Sequence, residues 1–424
     1  MHGLKLSRYR WAIATLLSLS LVFLFSFISP LFPATRTQIE VFNQVWETVQ
    51  ENFYDPKMNG VDWKSLRKSY EPQARAAKSR EAFAAVVNQM LAELQTSHTY
   101  YYIPEEPAYY QVLGIFVPRS PQLQKAVRRF LPKGKIEYSG IGIITREIQG
   151  KTFISAIYDG SPAAQAGLKV GDQILNADER PFHPIQSFEK VGHPVKLRIQ
   201  RTPSADSQRD IQVTPKMLDA TTMFLDAQKA STQIINRNGR RLGYVHIWSY
   251  AGDQYQEQLE EDLLYGRLNN ADGLVLDLRD GWGGAPLTAL NIFSKERDLS
   301  ITSIPRNGKR YVSYAQWNKP VVMLVNEGSR SAKEILAYAF QQYKIGPVIG
   351  TRTAGYVVAG HPFLMKDGSL LYVAVADVYV NGNERLEGKG VTPDIVVPAP
   401  VEYAQGTDPQ KERAIAALLE ILKS

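Results

Sequence analysis

The chain has no cysteine, and its 424 residues include only six histidines. The lack of thiols excludes disulfides, a cysteine nucleophile and cysteine metal sites. Apart from His98, the histidines stand at positions 2, 183, 193, 246 and 361. None of these has a second histidine four residues away, the spacing that lets one helix face offer two imidazoles to a zinc ion. No metal and no cofactor is expected. Charge of one sign is also scarce, because the formal net charge is +7 and Lys5, Arg8, Arg10 and Arg36 contribute from the N-terminal segment. No concentrated basic stripe marks a nucleic-acid partner. Solenoid-type repeats are absent as well. What remains is an ordinary globular composition, 44% hydrophobic and 21% charged, long enough for two or three domains.

One long apolar run is present. From Trp11 to about Ser29 the chain is uncharged and rich in Leu, Ile, Phe, Val and Ala, with Lys5, Arg8 and Arg10 before it. Roughly 19 such residues are long for a signal-peptide core and about enough to cross a bilayer. Residues 30–34, PLFPA, lack a clean small-x-small cleavage signature. The run reads as an uncleaved signal anchor, residues 1–35, with the N-terminus inside and the body facing the periplasm or another extracytoplasmic space. Cleavage near Ala34, giving a secreted body, is the alternative.

Apolar residues recur at helical spacing through Ile39, Phe42, Val45, Trp46, Val49 and Phe53, and again through Phe83, Val86, Val87, Met90, Leu91 and Leu94. Both runs predict helices, in a small N-terminal domain over 36–104. Residues 105–137 are rich in Tyr and Pro and read as a connector or lid, with a short basic helix at Leu123 to Phe130. From 138 to 217 the pattern changes to short strands and turns, GIGII, FISAI, GSPAAQAGLKVGDQILNADER and VKLRIQR. This stretch resembles a PDZ domain. The resemblance implies that the N–H groups around Gly140, Ile141, Gly142 and Ile143 capture a chain-terminal carboxylate while the peptide adds as a strand. A β-domain used only for rigid packing is the competing reading. After a linker around Asp219 to Asn238, apolar strands at Leu242 to Trp248, Gly273 to Leu278, Pro320 to Val325, Val348 to Ile349 and Leu370 to Val375 alternate with helical stretches. That predicts an α/β core over 218–424 with strands buried on both faces, closed by a helix from Pro409 to Leu422.

The strand VVMLV runs into NEGSRSAKEIL, where a Gly-containing turn leads to an amphipathic helix. Ser331 falls in its first turn. A hydroxyl on a strand-to-helix turn is pushed toward a cleft, and the helix start behind it offers free N–H groups to a developing oxyanion. Taken alone, Ser329 or Ser331 could equally be an N-cap. Three further motifs decide between these readings: LDLRDGWGG at 276–284, GTRTAG at 350–355 and GKGVTPD at 388–394.

In this order the motifs resemble the C-terminal processing and tricorn-core serine peptidases. That family pattern is a helical region ending near Ser/Pro-His-Ser/Thr, a PDZ domain, an LDLR-x-N-x-GG strand, a T-x-S-x-x-E nucleophile helix and a G-x-G-x-x-PD tail. The resemblance implies a multidomain α/β (α+β) protein with a ClpP/crotonase-like peptidase core, a helical N-terminal region and an inserted PDZ domain. One branch activates its serine with a lysine in T-x-G-K-G, and here that position is Tyr356. A tyrosine, protonated up to about pH 10, cannot replace the amine. The tricorn-like branch uses a histidine and a glutamate instead, which map onto His98 in Thr96-Ser97-His98-Thr99 and onto Glu387 before Gly388. His98 would then move the Ser331 proton and Glu387 would orient the imidazole, with Ser97 as additional polar support. Ala332 and Gly283 or Gly284 would supply the oxyanion hole.

Lys333, two positions after Ser331, is expected to be a solvated side chain pointing away from it. Lys389 is expected to be structural. The expected activity is cleavage of polypeptides with exposed C-terminal tails through an acyl-enzyme. Two alternatives stay open: a non-catalytic PDZ binding protein on a degenerate peptidase scaffold, and a Ser/Lys hydrolase using Lys333 or Lys389. Oligomeric state is not legible.

Overall fold

The computed structural model describes residues 36–131, 133–294 and 300–423. The apolar run at Trp11 to Ser29 lies outside them. Among the described residues no helix is long and apolar enough to cross a membrane.

The core sheet is built from runs that are apolar without alternation, which suits strands covered on both faces. Its strands lie in the spatial order Ile395–Val396, Val348–Gly350, Val321–Val325, Gly273–Asp277, Arg240–His246 and Gln233–Arg237. All neighbours are parallel except the last pair, an edge hairpin. Every residue of Gly273–Asp277 and Val321–Val325 is buried. Because side chains alternate along a strand, Val275, Val322 and Leu324 face the C-terminal helix Pro409–Ile421 through Ala414, Ile415 and Leu418. Leu276, Met323 and Val325 face the other way, in one cluster with Leu336, Ala337 and Phe340 of the helix Ala332–Gln342.

A five-stranded antiparallel sheet, Ile143–Ile148, Lys151–Ile157, Gln173–Ala177, Val195–Gln200 and Gln208–Val213, follows chain order. It has its own core around Ile141, Ile154, Phe188, Leu197 and Ile199. Ile143–Ile148 is an edge strand of that sheet.

The helices Arg36–Asn52, Trp63–Ala76 and Arg80–Ala92 form the N-terminal region. Two of them start on side-chain caps, Asp62 accepting from Ser65 N and Ser79 accepting from Ala82 N. They cover a three-stranded antiparallel sheet of Tyr100–Tyr102, Leu370–Ala376 and Ala359–Leu364. The expectation that Leu370 to Val375 belongs to the core sheet is therefore corrected. A tight turn at residues 365–369, with Gly368 at φ 86° and Asp367 accepting from Ser369 N, folds this strand back onto Ala359–Leu364. Asn88 then pins Tyr101 through both backbone groups, at 2.9 and 2.7 Å. This pairing carries the preceding residues Ser97, His98 and Thr99 to the core.

Two other segments differ from expectation. Asp219 to Asn238 is not a linker but contains the helix Met223–Ser231 and the strand Gln233–Arg237. Its polar Gln228 is buried and donates to Tyr255 O at 3.0 Å, so polarity there reports an interior group and not a loop. Residues 105–137 hold the helix Pro107–Phe116, with Val112 and Leu113 buried, and a basic helix at Pro121–Val127, shorter than Leu123 to Phe130.

Leu324→Ala, in the fully buried strand that leads to Ser331, is expected to cost about 2–5 kcal/mol. Urea unfolding should show a lower midpoint with unchanged slope; a shift below about 1 kcal/mol would contradict the two-sided burial described.

Candidate active site

Where the strand Val321–Val325 ends, the chain makes a turn stapled by Ser329. Its hydroxyl donates to Leu278 O at 2.9 Å and accepts from Asn326 N at 3.0 Å. Ser329 is fully buried and its polar capacity is spent. Ser331 lies at φ 58°, ψ −133°, immediately before the helix Ala332–Gln342. A left-handed φ is costly for a residue with a Cβ and marks a conformation held by its surroundings. The surroundings are identifiable: Ser331 N donates to Tyr356 O at 2.7 Å and to Glu334 Oε2 at 3.1 Å.

Glu334 is fully buried and also accepts from Thr353 Oγ1, Gly355 N and Tyr356 N at 2.6–2.7 Å. Burial pushes its carboxyl up, and these four donors oppose the shift. It fixes Ser331 and the segment 353–356 to one another. The S-x-x-E spacing of a capping box was the sequence signal for it.

His98 is also left-handed, at φ 55°. Its Nδ1 lies 2.8 Å from Ser97 Oγ. Ser97 Oγ donates to Glu387 Oε2 at 2.9 Å, and Ser97 N donates to Glu387 Oε1 at 2.8 Å. Glu387 accepts as well from Val357 N at 2.6 Å and Val358 N at 3.2 Å. The polar contact of Glu387 with His98 runs through the hydroxyl of Ser97, the residue expected as additional polar support. Burial lowers the His98 pKa to about 4, with Glu387 opposing the shift and the Arg330 guanidinium adding to it.

Opposite this chain of groups, Gly283 presses on the start of the serine helix. A Cβ there would meet Ser331 Cβ, Arg330 O and Ala332 N at 2.5–3.1 Å. Gly284, at φ 96°, abuts Ala251. Ala332 is the first residue of its helix, so its N–H has no intrahelical acceptor. Asp280, left-handed at φ 51°, exchanges hydrogen bonds with the Asn326 side chain at 3.0 and 3.1 Å.

Ser331, His98, Ser97, Gly283, Gly284 and Tyr356 all line one cavity of about 530 Å³. The helix Pro107–Phe116 supplies an apolar wall through Ala108, Val112, Ile115 and Phe116, so the unread connector forms part of the site. A second cavity, about 320 Å³, is lined by Gly140, Ile141, Gly142 and Ile143 together with Phe188. Trp282 and Arg330 line both cavities. The Arg330 guanidinium stacks 4.2 Å from the Trp282 ring and donates to Gly281 O at 2.6 Å. Of the four loop residues, Ile141 buries its side chain in the β-domain core, so only its backbone is on offer.

Lys333 is not solvated as expected. It is fully buried, and its ammonium donates to Asp280 O at 2.7 Å and Trp248 O at 3.4 Å. Trp248 O also receives Trp282 N at 2.9 Å, so the ammonium braces the turn that holds Gly283. Burial lowers its pKa to about 7. Lys389 is exposed and pairs with Glu384 at 3.4 Å. Among the described residues no three metal-ligating side chains cluster.

Residues 35–92 match the tricorn protease C1 domain, 139–213 a PDZ domain and 241–397 peptidase family S41. A carboxyl-terminal-processing protease of Synechocystis sp. is 26% identical, with 98% of this chain and 93% of that one covered. A putative tricorn protease homolog of Streptomyces coelicolor is 25% identical across 91% of this chain, which spans 32% of that relative's length. Among solved structures, the tricorn protease aligns with a TM-score of 0.54 at 20% identity, covering 92% of this chain and 37% of that one. Mature CPAF aligns at 0.51 and 12% identity, covering 91% and 98%. The α/β fold with a helical N-terminal region and a PDZ domain defines a serine-type peptidase. Residues 241–397 carry the match to peptidase family S41, and the likeness to C-terminal-processing and tricorn-type proteases extends over nearly the whole chain.

Because the folded-state pKa of Lys333 lies below its unfolded value near 10, the unfolded chain binds the extra proton between those values. The lysine therefore opposes folding most fully below about pH 7, and this opposition fades as pH rises. Urea midpoints of wild type and Lys333→Met, compared from pH 7 to 10, should show wild type gaining on the variant; a constant gap would contradict a desolvated ammonium.

Proposed function

We propose that this peptidase cleaves polypeptides internally by an acyl-enzyme route, with Ser331 as nucleophile, His98 as general base and then acid, and Ser97 and Glu387 as the chain that orients His98. The observation that carries this reading is the unbroken contact from Glu387 through Ser97 to His98, on a cavity that Ser331 also lines. An ionised carboxylate only accepts, so the Ser97 hydroxyl donates to Glu387 and its lone pair takes Nδ1–H of His98. Nε2 is then the unprotonated nitrogen, the one able to receive the Ser331 proton and return it to the leaving amine. The positive charge that forms on the imidazole is stabilised by Glu387 across one hydroxyl. Ala332 N–H and the backbone of Gly283 or Gly284 receive the oxyanion.

The PDZ domain recognises C-terminal tails in this reading. Its support is the free edge of Ile143–Ile148 beside the loop Gly140 to Ile143, which suits strand addition with the terminal carboxylate at the loop. The wall shared by the two cavities supports delivery of a tail toward Ser331. We assign the body to an extracytoplasmic space behind the N-terminal anchor, on the strength of the run from Trp11 and its basic flank. We divide that body into domains at 36–104, 105–137, 138–217 and 218–424.

Labelling with a fluorophosphonate and cleavage of casein by residues 36–424 should be lost in Ser331→Ala and fall about 10³-fold or more in His98→Ala. Ser97→Ala should reduce kcat while leaving labelling detectable. Labelling that persists at the wild-type rate without His98 would overturn the triad, and an inactive wild type would favour a binding protein.

The base must be neutral, and the His98 pKa is lowered to about 4. The acid limb of kcat/KM is therefore expected near pH 4 and not near 6.5; an inflection at the ordinary histidine value would show His98 solvated in the working enzyme.

A further inference from the structure

We infer that Glu106 makes the catalytic cavity select a lysine or arginine side chain next to the scissile bond. The inference rests on the peptidase reading above and names its substrate class. Glu105 and Glu106 are adjacent carboxylates with different fates. Glu105 pairs with Arg80 at 3.0 Å. Glu106 lines the same cavity as Ser331 and His98, and among the described residues its carboxylate has no hydrogen-bond or ion-pair partner. It holds the N-cap position of the helix Pro107–Phe116 without capping it, so local structure does not account for the side chain.

The surroundings match a basic side chain in each of its parts. Val112, Ile115 and Phe116 offer apolar surface to a methylene stem. Tyr100 and Tyr102, whose ring centroids lie 4.6 Å apart, line the cavity too and offer aromatic faces to a cationic head. The cavity's other charged side chain, Arg330, is committed to Gly281 O and the Trp282 ring. Burial, reinforced by the Glu105 charge, raises the Glu106 carboxyl to about 7. An incoming cation removes that penalty, because an opposite charge within a few ångströms favours the ionised form. A substrate carboxylate at the same place would add to it.

The test is cleavage of a mixed-sequence peptide library by residues 36–424, with sites mapped by mass spectrometry. It is followed by paired peptides that carry arginine or its neutral isostere citrulline at the enriched position. Wild type should show Lys/Arg enrichment within two residues of the cut and an arginine-to-citrulline ratio in kcat/KM of about 10 or more. Glu106→Gln should bring that ratio to about 1, and Glu106→Lys should turn enrichment toward Asp and Glu. Because the ratio is taken within each variant, a general loss of activity does not mimic the effect. Cleavage that depends on Ser331 but shows no basic enrichment, or a ratio unchanged in Glu106→Gln, overturns this inference and leaves the triad standing. Cleavage that persists in Ser331→Ala overturns the triad itself.

Discussion

Two buried glutamates, Glu387 and Glu334, hold the site together, and among the described residues both do so without a cationic partner at hydrogen-bond distance. Glu387 takes its donors from Ser97, 290 residues earlier, and from Val357 and Val358. Glu334 takes its donors from Ser331 and from the segment 353–356. A buried carboxylate left without donors costs several kcal/mol. Each glutamate therefore forces distant backbone to come to it. The segment from Thr353 to Val358 is gripped from both sides, by the serine helix through Glu334 and by the N-terminal region through Glu387. The separation between Ser331 and His98 is set by this one shared strip of chain.

Two left-handed residues lie where these grips meet. Ser331 and His98 both sit at positive φ, a conformation that persists only when surrounding bonds over-determine it. Gly283 completes the arrangement by approaching closer than any side chain would allow. The buried ammonium of Lys333 supports the same turn from beneath, trading desolvation for two carbonyl contacts. A lysine whose ammonium braces a glycine turn serves geometry first, since its donors are already directed at the carbonyls of Asp280 and Trp248.

The sequence was most legible where one physical pattern dominated. Unbroken apolar runs located Gly273–Asp277 and Val321–Val325, and the strand-to-helix turn located Ser331. The order of motifs pointed to His98 and Glu387. Legibility failed where long-range pairing decides the outcome. Nothing local in LLYVAVA distinguishes a parallel core strand from the hairpin that it forms with Ala359–Leu364. The hydroxyl of Ser97 between His98 and Glu387 could be suspected but not placed, because spacing does not reveal which of two neighbours a carboxylate touches. Lys333 was misread because helical position predicts direction relative to Ser331, not whether the protein closes over the side chain. The connector 105–137 was unreadable because its apolar face is turned partly toward a cavity and not toward a core.

The departure at Tyr356 follows from the same two carboxylates. Its N–H donates to Glu334 and its carbonyl accepts from Ser331 N–H, while the residue is 48% exposed. The fold thus requires the backbone at this position and makes little demand on the side chain. A lysine here would be needed only if it moved the serine proton. The pairing of Tyr100–Tyr102 against Leu370–Ala376 brings His98 to the cavity, and under the proposed Ser331–His98 route that demand lapses, so the position can carry a residue that contacts substrate or solvent. In the proposed reading a tyrosine at 356 is therefore compatible with activity, and the buried groups Glu334, Glu387 and Lys333 are each furnished with partners.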